Sequence, residues 1–407
     1  MILAAAFVVL LFAYSLVSRR LEATVVTAPI VFTLAGMIAF VALFELHIEG
    51  GTREMFLRAA EIGLVLLLFT DASRTDLRVL ASIRNLPVRL LSVGMLLTIV
   101  LGALVARIVF PELSVWEAGI LSAILAPTDA GLGQVIVTSP KVPMRIRQAL
   151  NVEAGLNDGL SVPFLLFFIA LATAGAGGRA ASLTHYVLEQ LGYGAAVGLA
   201  IGLAGGWLLD LARRSRWMTD SWEQLAVVAL PILCLIASHA VAASPFIAAF
   251  VAGLAVQVRF KHAGEHSVEF TEEWGQILNL SVFFLFGMIA ARAAEDLELA
   301  PVVYAVASLT IVRMLPVAIA LVGTRLSRPT VLFMGWFGPR GLASIVLGLV
   351  FLEEETHLAG EHAIHVAVTT TVLISIFAHG LSAIPGMNLY ARKLDALGAD
   401  APEKLAS

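Results

Sequence analysis

Apolar runs long enough to cross a lipid bilayer follow one another along almost the whole chain, and this constrains the fold more than any other feature. A hydrocarbon core of ~30 Å takes about 20 helical residues. Thirteen segments answer to that requirement, at approximately 2–17, 25–46, 54–73, 88–110, 115–138, 147–174, 185–211, 220–240, 244–258, 270–291, 298–323, 330–352 and 363–385. Of the 407 residues, 59% are apolar and 14% charged, and the mean hydropathy is +0.92. Globular chains carry about 25% charged residues, so this one lacks the polar surface of a water-soluble fold. Soluble enzymes and nucleic-acid binders are thereby excluded. A net charge of -4 selects no partner of either sign, and one cysteine, Cys234, rules out an intrachain disulfide or a cysteine-based metal site.

The basic residues test the segment count independently, because cytoplasmic loops hold the Lys and Arg excess of a membrane protein. Alternate connections, from Arg19 and Arg20 to the tail's Arg392, Lys393 and Lys404, hold nineteen basic residues, whereas the opposite side holds only Arg53, Arg107, Arg179 and Arg292. This places the N-terminus outside and the C-terminus in the cytoplasm, with residues 386–407 as a short cytoplasmic tail. The first segment has no basic residue before its apolar run, the reverse of a signal peptide, and reads as a retained helix. Arginine outnumbers lysine 22 to 4, which hints at a GC-rich bacterial genome, and the expected location is a bacterial inner membrane. The expected fold is a single all-α, multi-pass membrane domain over residues 1–407.

Two segments are interrupted. The fifth holds Pro127, Thr128 and Asp129 followed by Gly131 and Gly133, and the twelfth holds Gly338, Pro339, Arg340 and Gly341. Proline removes a helical hydrogen bond and glycine relaxes the backbone, so both spans are expected to unwind at mid-depth. The two prolines stand 212 residues apart, about half the chain, as an inverted repeat requires. Broken helices in corresponding places mark the midplane site of a transporter. Pro29, Pro163, Pro231 and Pro316 carry no such company and read as packing kinks.

A charge at the bilayer centre costs about 2.5–3.5 kcal/mol even on a lenient scale, so each buried one needs a partner or a task. The deepest are Asp129, Glu153 and Asp158 against Arg313 and Arg340, a surplus of one negative charge. That surplus fits one monovalent cation or one proton. Glu153 is expected to pair with Arg313 or Arg340, with Arg313 favoured because no helix terminus compensates it. Asp129 is expected to offset the N-terminal half-helix ends at the fifth break, and Arg340 the C-terminal ends at the twelfth.

These residues carry a family resemblance. Pro127-Thr128-Asp129, then Glu153 through Asn157-Asp158-Gly159, then Arg313 and Gly338-Pro339-Arg340-Gly341, resemble in order and spacing the NhaP-type sodium/proton antiporters of the cation/proton antiporter superfamily. The resemblance covers essentially the whole chain. It implies about thirteen transmembrane helices in inverted repeats with two unwound, crossing helices. Core helices over about 88–174 and 298–385 would move like an elevator against dimerisation and scaffold helices over about 1–73 and 185–291, within a homodimer. It implies that Asp158 binds Na+ and the proton in turn, that Asp129 and Thr128 assist, that Glu153 forms an ion bridge with an arginine, and that the Asn157-Asp158 pair marks electroneutral exchange. No cofactor is implied. Ala154 departs from the pattern, since relatives commonly have serine there, and K+/H+ exchange is the alternative within the family. Asp71 is either a third-helix carboxylate of the site or an interfacial ion pair beside Arg74.

Other features read more plainly. His357, Glu361, His362 and His365 form an outer loop cluster that reads as solvated rather than metal-binding, Arg58 and Glu61 as an i,i+3 pair, and His239 as a satisfied polar residue. An intramembrane aspartyl protease is disfavoured by the contexts Thr128-Asp129-Ala130 and Asn157-Asp158-Gly159, which lack that family's settings. A cation channel is disfavoured because the polar groups gather at one depth instead of lining a pore.

Overall fold

The computed structural model describes residues 2–21, 24–43, 51–74, 85–129, 131–175, 180–260, 267–353, 357–397 and 401–403. Among them all regular structure is helical. The first three helices are α1 (Ile2–Leu21), α2 (Ala28–Leu43) and α3 (Gly51–Arg74). Helix α4 starts at Asn85–Arg89, passes through a π-helical turn at Leu90–Gly94 and continues as Met95–Val109. Then follow α5 (Val115–Ile124), the single turn α6 (Gln134–Val137), α7 (Met144–Gly175), α8 (Ala180–Arg214), α9 (Asp220–Ala240), α10 (Pro245–Arg259) and α11 (Ser267–Ala293). Helix α12 runs as Leu299–Ala307, a second π-helical turn at Ser308–Val312, and Arg313–Ala320. The last are α13 (Arg328–Trp336), α14 (Leu342–Glu353) and α15 (Glu361–Asp395).

Among the described residues eight helices are long and apolar enough to cross a membrane: α1, α4, α7, α8, α9, α11, α12 and α15. Helices α2, α5, α10 and α14 are shorter apolar ones. Both interruptions stand where the prolines and glycines put them. Helix α5 stops at Ile124 and residues 127–129 are non-helical; α13 stops at Trp336 and α14 restarts only at Leu342. The two halves of the chain match in order. Each interruption is preceded by a helix with a π-helical turn and followed by a long helix with an internal proline, Pro163 in α7 and Pro385 in α15. Such turns concentrate at functional sites.

Local signals set the ends of the short helices. Ser114 and Glu117 form a capping box at the start of α5, and Glu117 also accepts the Gly360 N–H at 2.7 Å. Ser244 caps α10, with Pro245 in its first turn. Away from the interruptions, α8 presents Gly194, Gly198, Gly202 and Gly206, one every fourth residue, directly against the backbone of Ser244, Ala248, Ala252 and Val256. This small-residue contact is how helices approach closely in lipid.

One boundary differs from the sequence reading. The last helix does not end at residue 385 but continues through Pro385 to Asp395, so residues 386–395 are helical rather than a loose tail. Tertiary contacts hold it. Tyr390 stacks on Phe333 of α13, and beyond the helix Glu403 accepts the Ser327 N–H at 2.5 Å and the Thr330 hydroxyl at 2.9 Å, while Arg145 donates to the Pro402 carbonyl.

Candidate functional site

The two interruptions touch. The Asp129 N–H donates to the Pro339 carbonyl at 2.8 Å, which fixes one unwound segment against the other. The Asp129 carboxylate accepts the N–H groups of Gly131 (2.6 Å) and Leu132 (3.1 Å) on its own segment and of Leu342 (2.7 Å), the first residue of α14. Arg340 is fully buried and donates to the carbonyls of Ala126 (2.7 Å) and Pro127 (2.9 Å), just beyond the end of α5. Asp129 thus serves both spans, accepting N–H groups after the fifth break and capping the start of α14, while Arg340 satisfies the carbonyls at the fifth break rather than those at the twelfth. The sequence assignment of Arg340 to the C-terminal end of its own span is corrected. Where two helices cross at their breaks, the partner's exposed backbone groups are nearer than the residue's own.

The glycines around Arg340 have a steric task beyond loosening the helix. A Cβ on Gly338 would overlap the Arg313 guanidinium, and one on Gly341 would overlap the Asp129 carboxylate. Only hydrogen fits at either place.

Helix α7 brings up the acidic residues. Glu153 accepts from Arg313 Nη1 at 2.6 Å, and both side chains are buried. Arg313 lies in α12 at the residue where the π-helical turn gives way to α-helix. One turn along α7, Asn157 donates to the Thr128 hydroxyl at 2.7 Å, linking α7 to the fifth break. Asp158 is buried beside it, and its Oδ1, like Asn157 Oδ1, has no hydrogen-bond partner among the described residues. Asp71, half-buried in α3, and Asp129 both stand within electrostatic reach of Asp158, and the Arg74 side chain lies outside the described residues.

Comparison with known proteins gives the family. A family model described as the transmembrane sodium/hydrogen exchanger matches residues 6–388. The chain belongs to that family. An antiporter of sodium, potassium, lithium and rubidium from Bacillus subtilis is 25% identical over 269 residues, 65% of this chain and 39% of that one. A Na+/H+ antiporter of Schizosaccharomyces pombe is 29% identical over 196 residues, 44% and 42% of the two chains, and a K+/H+ antiporter, NhaP2, of Shewanella oneidensis is 24% identical over 240 residues, 58% and 41%. This exchanger-family chain spans about two fifths of the length of these relatives. Its fold is that of the sodium proton antiporter MjNhaP1 from Methanocaldococcus jannaschii at pH 8, with a TM-score of 0.80 at 17% identity over 96% of this chain and 97% of that one. With its series of apolar helices, it is a multi-pass membrane protein.

The remaining residues singled out in the sequence fall elsewhere. Glu61 meets His239 Nε2 at 3.0 Å, joining α3 to α9, while the Arg58 side chain lies outside the described residues. Glu361, His362 and His365 belong to the first turns of α15 and not to a solvated loop, and half-buried His365 lines a cavity of about 20 Å³ with Phe286 and Thr369. The helix starts earlier than expected because Gly360 is anchored to Glu117. Sequence reasoning missed Ser375 and His379, which lie in an apolar run of α15 yet contact both sides of the twelfth break. Their spacing of four residues, with both polar groups on one helix face, was the available signal.

Proposed function

We propose that this protein is a secondary transporter and not an enzyme, exchanging one monovalent cation, Na+ foremost with Li+ beside it, for one proton. The observation that carries the reading is the lone carboxylate. Asp129 and Arg340 are each occupied with helix ends of opposite partial charge, and Glu153 is matched by Arg313, so Asp158 is left as the exchangeable negative charge. Na+ binding at Asp158 releases a proton and protonation releases Na+. Asn157 and Thr128, already joined, present oxygens beside it for the cation. Either load neutralises the site, whereas the bare carboxylate in lipid costs about 2.5–3.5 kcal/mol or more. The site therefore changes sides only when loaded, which couples the two fluxes.

In this reading Glu153, Arg313 and Arg340 are fixed structural charges, Asp129 organises the crossing, and Asp71 tunes Asp158. The core helices, about 88–174 and 298–385, move as an elevator against those of about 1–73 and 185–291 in a homodimer. The protein sits in a bacterial inner membrane with its N-terminus outside and its C-terminus in the cytoplasm, as the alternating basic loops support. K+/H+ exchange is the second reading. It is favoured by relatives whose names include potassium.

The test is cation-dependent fluorescence dequenching in acidified proteoliposomes, comparing Na+, Li+ and K+. Dequenching by Na+ or Li+ that Asp158→Asn abolishes, with the purified variant still monodisperse, is the expected outcome. Near-parental exchange by Asp158→Asn would overturn the assignment, and a response to K+ alone would select the second reading.

A further inference from the structure

The backbone on both sides of the twelfth break is held by two residues of α15 that have no place in the ion site. The Arg340 N–H donates to Ser375 Oγ at 2.7 Å. Ser375 Oγ lies 3.1 Å from His379 Nδ1, and His379 Nε2 lies 2.9 Å from the carbonyl of Trp336, the last residue of α13. His379 also lies against the Trp336 ring, whose indole N–H donates to Ser382 one turn further along α15. Ser375 and His379 are both buried.

Hydrogen-bond logic orders this chain. Both ring nitrogens face a carbonyl, Nε2 that of Trp336 at 2.9 Å and Nδ1 that of Ser375 at 3.0 Å, and a neutral ring donates to only one of them; the Nε2–H tautomer places one more proton, because a bare Nδ1 also accepts the Ser375 O–H. Ser375 Oγ receives the Arg340 N–H and has its own O–H to place, and a bare Nδ1 at 3.1 Å accepts it. With the neutral Nε2–H tautomer, Arg340 N–H, Ser375 O–H and His379 N–H each have an acceptor, and the chain runs unbroken from the residue that opens α14's approach to the residue that closes α13.

We propose that Ser375 and His379 are positioning residues for ion binding, acting through the twelfth break on the crossing beside Asp158. The route is short. Arg340 is held through its N–H by Ser375, and its guanidinium holds the Ala126 and Pro127 carbonyls next to Thr128, which bonds Asn157. Loosening α15's grip lets the fifth break drift from α7 and spoils the cation's oxygen cage. The inference rests on the exchange reading above but adds residues outside the site and a defined tautomer.

Three variants in proteoliposomes test it, with rates referred to folded protein. His379→Leu removes both bonds at similar bulk, Ser375→Ala removes the acceptor for Arg340 with minimal change of shape, and His379→Gln restores an N–H at the position of Nε2. His379→Leu and Ser375→Ala should each raise the apparent KM for the exchanged cation by about fivefold, the worth of one net hydrogen bond, with a smaller effect on the maximal rate. His379→Gln should return KM to within about twofold of the parent. A parental KM in the folded Leu and Ala variants, or a Gln variant no better than Leu, overturns the proposal; if the Leu variant does not fold, Ser375→Ala decides it. A second readout does not need transport. In 15N-histidine-labelled protein, the resonance that His379→Gln deletes should show a protonated Nε2 and a bare Nδ1 at neutral pH. The Nδ1–H tautomer or an imidazolium would overturn the relay. A parent that exchanges none of the three cations would sink the functional reading while this spectrum still judges the relay.

Discussion

Replacing Glu153 tests the electrostatic argument most directly. The Glu153 and Arg313 side chains are 3% and 6% exposed and meet at 2.6 Å, so neither charge is screened by water. Arg313 Nε and Nη2 have no hydrogen-bond partner among the described residues, and Arg340 is close enough for the two guanidinium groups to repel. Without Glu153, two buried cations face each other. Breaking a buried pair by removing one partner costs about 3–5 kcal/mol. Glu153→Gln keeps the shape and one acceptor for Arg313, so its cost belongs at the low end, about 3 kcal/mol, or roughly a hundredfold in the ratio of folded to unfolded protein. Glu153→Leu with Arg313→Met removes both charges and should recover most of the loss, since apolar replacement of a whole buried pair is often neutral. The assay is reversible unfolding of the purified protein in mixed micelles, arranged as a double-mutant cycle. A Glu153→Gln protein as stable as the parent, or a double variant whose loss equals the sum of the two singles, would refute the reasoning.

Other consequences follow from the same geometry. An imposed potassium diffusion potential, applied after K+ is shown not to be exchanged, should leave the pH at which the Na+ and H+ gradients balance unmoved, because both loaded states carry the same charge; a voltage-dependent balance point would mean that a second carboxylate, Asp129 or Asp71, also gives up a proton. Gly341→Ala should push its new methyl into the Asp129 carboxylate, breaking the cap on α14 and cutting exchange at least tenfold, an effect of about 1.4 kcal/mol or more on the transport barrier; initial rates in proteoliposomes near the parental value would show that the crossing tolerates the methyl. In the tail, burial raises the Glu403 carboxyl, but the bonds from Ser327 and Thr330 outweigh it and hold the group below its ordinary value. Its contribution is therefore complete above about pH 4.3 and fades as the pH falls through the folded-state value. Hydrogen exchange at residues 327–330 should be faster in Glu403→Gln than in the parent at pH 7, with the difference shrinking toward pH 3; an equal difference at both would refute the docked carboxylate.

The membrane class and the places of both interruptions were legible in the sequence because each depends on local chemistry. Apolar length decides whether a helix can lie in lipid, and Pro127, Pro339 and their glycines act on their own backbone. The acidic run from Glu153 to Asp158 could be found for the same reason: a charge in an apolar segment declares itself. What each charge touches was not legible, since the partners are far apart in sequence. Only packing decided that Arg313 faces Glu153, that Arg340 serves the fifth break, and that Asp129 caps α14. The same holds for Gly338 and Gly341, whose hydrogens make room for an arginine and an aspartate from other helices. It holds too for Ser375 and His379, ordinary polar residues in an apolar helix until α13 and α14 are placed against them, and for the helix that runs through Pro385 because Tyr390 and Glu403 find partners on α13 and the residues just before it. Periodicity and composition describe a residue's own turn of chain, whereas a buried charge is satisfied by whichever dipole the tertiary fold brings within hydrogen-bond distance.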